Sequence, residues 1–167
     1  RGVNGIVVPH VNSRRQAALV AKAAYFAPLG QRGMYGSGRR GYGDPEYVQK
    51  ANDETLLVVL IEEYEAVQNL AEILEVDQID VFFVAPSDLA ETMGYIGQPY
   101  HPAVQQVVQE AITQIAAAGR VAGTLGADAQ LERYLELGAR FFLVNYDGWI
   151  KAGASQYLSK LAALQKG

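Results

Sequence analysis

Short, unbroken apolar runs alternate along this chain with longer stretches whose apolar residues recur every three or four positions. The runs are Gly5-Ile6-Val7-Val8-Pro9, 55–61 (TLLVVLI), 79–85 (IDVFFVA), 120–125 (RVAGTL) and 140–145 (RFFLVN). Runs of this length and β-branched content predict five strands buried on both faces. The stretches between them predict helices. Asn12 or Ser13 can cap a helix reaching Ala24. Residues 63–74 place Ala66, Val67, Leu70 and Ile73 at helical spacing, and 87–93 form a short helical turn. Pro102 suits the first turn of a helix ending near Gly119, with Val104, Val107, Val108, Ala111, Ile112 and Ile115 as its buried stripe. Further helices are expected at 128–137, closed by Gly138, and at 149–164.

Strands that each lead into a helix predict an α/β fold with a parallel sheet covered on both faces. Two architectures satisfy that pattern, an open doubly wound sheet and a (β/α) barrel. The first strand–helix turn lacks a G-x-G-x-x-G, which disfavours a dinucleotide-binding sheet. Five strands fall short of a complete eight-stranded barrel, which takes ~250 residues. One domain over 1–167, lacking about three leading barrel units, fits the length and the start at Arg1 rather than Met. Residues 27–44 interrupt the alternation with a glycine-rich loop that has no G-K-[ST], so it is not a Walker A loop. We expect a flexible rim loop over a pocket.

Composition narrows the functional classes. Half the residues are apolar and the net charge is −4. An acidic chain has little to offer a phosphate backbone, so no nucleic-acid partner is expected. No apolar run approaches the ~20 residues that span a bilayer, so no membrane partner is expected. There is no cysteine, which excludes disulfides, thiolate metal sites and cysteine nucleophiles and fits a cytoplasmic location.

Two carboxylates stand where parallel α/β proteins place their chemistry. Glu62 closes one apolar run and Asp88 follows the next, one βαβ repeat later. They should therefore occupy neighbouring loops at the carboxyl end of the sheet. Such a pair suits a hard divalent cation completed by water and substrate. Equally, Glu62 could begin a helix and Asp88 could interact with a helix dipole. Ser87 and Asp88 can present backbone N–H groups to a carboxylate, or Ser87 can simply cap. His10 ends the first strand and reads as structural or pocket-facing, and His101 as a helix cap. Arg32 reads as an anchor of the long loop or a contact for an anion. Tyr146 and Asp147 are candidates to line the site, and Trp149 to anchor a core or an interface. Lys22, Lys50, Lys151, Lys160 and Lys166 fall on helices or their edges, a poor setting for a Schiff-base lysine.

The motifs taken together resemble the HpcH/HpaI family of pyruvate aldolases, typified by 4-hydroxy-2-oxoheptanedioate and 2-dehydro-3-deoxyglucarate aldolases. Those that carry the resemblance are Gly5-Ile6-Val7-Val8-Pro9, Pro28-Leu29-Gly30-Gln31-Arg32-Gly33, Ala51-Asn52-Asp53, Ile61-Glu62, Ala85-Pro86-Ser87-Asp88-Leu89, Met93-Gly94-Tyr95 and His101-Pro102. The resemblance implies a (β/α)8 barrel of the phosphoenolpyruvate/pyruvate type whose N-terminal strands precede this chain. It implies a class II carbon–carbon lyase that cleaves or forms 4-hydroxy-2-oxo acids through a metal-stabilised pyruvate enolate. Glu62 and Asp88 would bind the metal, Mg²⁺, Mn²⁺ or Co²⁺. Ser87 and Asp88 would hold the pyruvate carboxylate, and Leu125 would lie near the aldehyde. The family's catalytic histidine and enolate-stabilising arginine would lie upstream, so no catalytic residue is assigned here. The partners implied are a 2-oxo acid, an aldehyde and further copies of the chain in a hexamer that exchanges a C-terminal helix. Leu60, where many members have Gln, and Asn145, where Gly is usual, depart from the family pattern and bear on substrate choice. Two other expectations stay open: an acyl-CoA lyase of the malyl- or citramalyl-CoA kind, and an inactive truncated barrel scaffold.

Overall fold

In a computed structural model, residues 2–34, 41–126 and 128–165 are described. The order is β1 (Gly5–Val8), α1 (Arg14–Ala24), α2 (Tyr47–Glu54), β2 (Leu56–Ile61), α3 (Tyr64–Gln68), α4 (Leu70–Ile73), β3 (Val81–Val84), α5 (Pro86–Thr92), α6 (Pro102–Ala117), β4 (Val121–Leu125), α7 (Asp128–Glu136), β5 (Ala139–Leu143) and α8 (Asp147–Leu164). Ser13 caps α1, its hydroxyl accepting the Gln16 N–H. The His101 ring caps α6 by accepting the Ala103 N–H at 3.2 Å, as its place before Pro102 suggests. All six residues of the expected α6 stripe face the core.

The five strands are parallel and lie in chain order, β1-β2-β3-β4-β5. That order decides between the two architectures. A doubly wound sheet reverses direction once so that helices fall on both faces. Here every right-handed crossover steps the same way, which keeps the helices on one face. Leu57, Val59, Ile61, Phe82, Val84 and Ala122 meet the helices. The alternate residues Val58, Val81 and Phe83 are buried on the opposite face, among Leu60, Ala85, Leu125 and Phe141. That second face is the side-chain-filled interior of successive (β/α)-barrel units. The sheet is thus covered on both faces as expected, by helices on one and by the barrel interior on the other.

Glycine and a bulge shape this interior. A Cβ on Gly123 would come 2.9 Å from the Phe83 side chain and 3.0 Å from that of Val81. Between Ala122 and Gly123 the β4–β5 register slips by one residue. Ala139 consequently faces the helices, while Phe141, two positions on, faces the interior and meets Phe83 edge-on with ring centroids 6.3 Å apart.

The elements differ from the sequence expectation in two places, and of the two readings of Trp149 the structure excludes the core one. The helix expected over 63–74 is two short helices, α3 and α4, broken at Asn69 with φ −96° and ψ 9°. Its side chain donates to Asn12 O at 2.8 Å, and that local bond competes with continuous helix. Helix α2 was not expected; Asn52 fixes it by exchanging two hydrogen bonds with the Phe26 backbone, at 2.8 and 3.0 Å. Trp149 is 63 % exposed and is no core residue. Positions 35–40 of the expected rim loop lie outside the described residues.

Candidate active site

Strand β2 runs apolar to Ile61 and ends in a carboxylate. The step from Ile61 to Glu62 turns the side chain from the helix layer to the interior, continuing the alternation of Val58 and Leu60. On the neighbouring strand Ile61 pairs with Val84, and Ala85 N–H donates to Ile61 O at 3.1 Å. Pro86 then opens α5, which places Asp88 in its first turn. The two carboxylates are thus set side by side by strand register, as the spacing predicts.

Glu62 is 2 % exposed. Its Oε1 accepts the His10 backbone N–H at 2.8 Å. Burial pushes its pKa upward; the His10 amide and ring oppose this, and the adjoining Asp88 carboxyl adds to it. His10 reaches this position with φ 58°, an uncommon left-handed conformation for a non-glycine residue. Its ring Nδ1 lies 2.7 Å from Glu63 Oε1 and 3.4 Å from Glu62 Oε1. The Glu63 hydrogen bond and then the Glu62 charge raise the imidazole pKa. Glu63 Oε2 also accepts from Asn12 Nδ2 at 2.7 Å. Sequence reasoning missed this Asn12–Glu63–His10 chain, since Glu63 reads as a helix start. The Glu62-Glu63 doublet beside a strand-end histidine was the available signal.

A buried carboxylate beside a second one fits a hard divalent cation, whose charge would offset both. Among the described residues no group of three or more His, Cys, Asp or Glu is placed to hold a metal ion. Ser87 and Leu125 both line a small cavity of about 40 Å³ with Pro86, Pro99, Tyr100 and Tyr134. A cavity of about 410 Å³ adjoins it through Tyr100 and Leu125 and is bounded by Leu143, Val144, Asn145 and Trp149. Tyr146 and Asp147 are not among its walls. Arg32 lies away from the carboxylates, donating to Tyr47 Oη at 3.3 Å with its guanidinium 4.5 Å over Phe26, and so anchors the loop. Lys22 is in the last turn of α1, Lys50 pairs with Glu46, and Lys151 and Lys160 are on α8; Lys166 lies outside the described residues.

A sequentially ordered parallel sheet with a carboxylate pair at its carboxyl end defines a (β/α)-barrel protein of the kind that works at strand ends. A sequence profile of the HpcH/HpaI aldolase/citrate lyase family matches residues 1–152, and the chain belongs to that family. It is 41 % identical over 162 residues to a 4-hydroxy-2-oxo-heptane-1,7-dioate aldolase of Shigella flexneri, covering 95 % of this chain and 61 % of that protein. The chain thus spans about three fifths of that relative's length. The crystal structure of a HpcH/HpaI aldolase/citrate lyase family protein from Burkholderia cenocepacia matches with a TM-score of 0.86 at 25 % identity, over 96 % of this chain and 66 % of that one. The HpcH/HpaI aldolase from Desulfitobacterium hafniense matches with 0.76 at 29 % identity, over 99 % and 64 %.

Proposed function

We propose that this chain carries the metal and pyruvate half of a class II aldolase site, acting on 4-hydroxy-2-oxo acids. The observation that carries the reading is Glu62, a buried strand-end carboxylate beside Asp88 in the first turn of α5, which follows the adjacent strand. Glu62 and Asp88 hold the divalent cation, Mg²⁺, Mn²⁺ or Co²⁺. When bound, that cation supplies Lewis-acid stabilisation of the charge left as the C3–C4 bond breaks. The His10 N–H occupies Glu62 Oε1 and orients the carboxylate. Ser87 and Asp88 offer backbone N–H groups at the start of α5 to the pyruvate carboxylate. Leu125 faces the aldehyde portion. The acid–base residue that takes the C4 hydroxyl proton is assigned to the part of the barrel preceding β1.

The same reading makes the protein a homo-oligomer, a hexamer by family resemblance, in the cytoplasm. Helix α8 has no buried residue, while Trp149, Ile150, Leu158 and Leu164 are exposed along it. An apolar surface of that extent supports a partner of the same chain. Among the described residues no helix is long and apolar enough to cross a membrane.

Glu62→Gln in the full-length protein tests the reading. Mn²⁺ affinity by calorimetry should fall at least about 100-fold, since even outer partners of metal ligands are worth about 10–100-fold. Exchange of the pyruvate methyl protons with deuterium, which reports the enolate without any aldehyde, should fall with it. Unchanged affinity and exchange would remove Glu62 from the site.

A further inference from the structure

Two successive carboxylates leave β2 in different directions. Glu62 turns to the interior and is buried, while Glu63 reaches back to the loop after β1. We propose that Glu63 is a positioning residue for the metal carboxylate: through the imidazole it holds His10 in the backbone conformation whose N–H fixes Glu62. The inference rests on the reading of Glu62 as a metal ligand and adds the group that orients it.

The clamp is built on one residue. His10 donates its backbone N–H to Glu62 Oε1 at 2.8 Å, and its ring Nδ1 lies 2.7 Å from Glu63 Oε1. One turn thus serves both members of the doublet. Its φ of 58° is unfavourable for a residue with a Cβ, which crowds the backbone in that region, so it persists only where contacts hold it. The His10 side chain is 68 % exposed, so packing does not supply that hold. The Glu63 bond does. A carboxylate only accepts, so the imidazole carries a hydrogen on Nδ1. A neutral ring donates there as a charged one does, so the role does not depend on protonation of His10.

Glu63 is itself anchored through its other oxygen. Oε2 accepts from Asn12 Nδ2 at 2.7 Å. Asn12 is fixed in turn: its N–H donates to Gln16 Oε1 at 2.8 Å, and its carbonyl accepts from Asn69 Nδ2 at 2.8 Å. Asn12 Oδ1 is buried without a hydrogen-bond partner among the described residues. Turning the amide over would set that oxygen against Glu63 Oε2, acceptor to acceptor, so Glu63 dictates the amide's orientation. The bond to Glu63 is kept although a buried unmet acceptor is destabilising. Glu63 thereby ties His10 and Asn12, 53 and 51 positions away, to the end of β2. Both of its oxygens are engaged in this way, which leaves Glu62 to the cation.

The experiment uses the full-length protein and reads Mn²⁺ affinity by calorimetry, with no substrate present. Glu63→Ala should lower that affinity about tenfold, the lower end of what partners of metal ligands contribute. Glu63→Gln keeps both arms of the clamp, because the Asn12 amide can turn and offer Oδ1 to the introduced amide; it should stay within about threefold of wild type. In a His10→Gly background, where glycine takes a positive φ without support, Glu63→Ala should change the affinity by less than about twofold. Asn12→Ala, which leaves the Glu63 charge in place, should also weaken Mn²⁺ binding, and it carries the test if Glu63→Ala does not fold. Unchanged affinity in Glu63→Ala or in Asn12→Ala overturns the inference. So does an equal loss in Glu63→Gln, or the full loss in the His10→Gly background, since either would be an effect of charge or stability alone. In each of these cases Glu62→Gln still loses Mn²⁺ and the aldolase reading stands. A Glu62→Gln variant that binds Mn²⁺ as wild type does overturns both.

Discussion

Tyr25 shows how a single side chain couples this fold to pH. Its hydroxyl donates to Asp80 Oδ2 at 3.2 Å and to Thr55 O at 3.4 Å, while Asp80 Oδ2 also accepts the Leu57 N–H at 2.7 Å. Burial, with Asp80 beside it, pushes the phenol pKa from 10.0 to about 12. An unfolded chain loses this proton near 10, whereas the folded one keeps it to about 12. Its stabilisation is therefore full below pH 10 and declines as pH rises between those values. Wild type should lose about 2 kcal/mol more than Tyr25→Phe across that range, measured by urea unfolding at each end. Parallel pH profiles for the two proteins would sink the assignment. Glu62 was legible at this scale because a carboxylate ending an apolar strand is chemically out of place. The His10 amide that holds it was not, since a positive φ is invisible in a histidine's identity.

Among the elements, β3 depends on a cation at the start of its neighbour β4. The Arg120 guanidinium accounts for three carbonyls before β3, donating to Val76 O at 2.7 Å, Ile79 O at 3.0 Å and Asp77 O at 3.2 Å. It also lies 5.2 Å over the Phe82 ring. This is the amino-terminal end of the sheet, where a barrel keeps its stability rather than its chemistry. Arg120→Met should cost about 2–3 kcal/mol in unfolding free energy, by leaving those carbonyls without their donor. Pyruvate proton exchange per folded molecule should hold, and a fall in exchange without a fall in stability would contradict this division of labour. Element type was readable wherever a strong apolar period existed, as in α6. The α3–α4 break was not, because Asn69 finds its partner in Asn12, which only folding brings near.

On the scale of the molecule, surfaces are left that ask for covering. Among the described residues strands β1 and β5 each pair on one side only, and Ile6, Val7 and Leu143 are exposed along them. Helix α8 projects Trp149 to solvent. Trp149 is the single tryptophan of residues 1–167, so in a full-length protein with any other tryptophan replaced by phenylalanine its emission reports whether copies cover that helix. Diluting that protein should shift the emission to longer wavelength as the measured mass falls. A constant spectrum through that fall in mass would place α8 outside the interface. Length, strand count, the helix-facing stripes and the Glu62–Asp88 pair were determined by sequence, because apolar periodicity and strand-end position are local properties of the chain. The family motifs already implied a barrel rather than a doubly wound sheet, and the strand order agrees; the slip that turns Phe141 inward, the His10 amide on Glu62 and the placing of Tyr100 between two cavities were decided by tertiary structure. Each depends on which residues distant in sequence become neighbours, and strand order and register alone fix that.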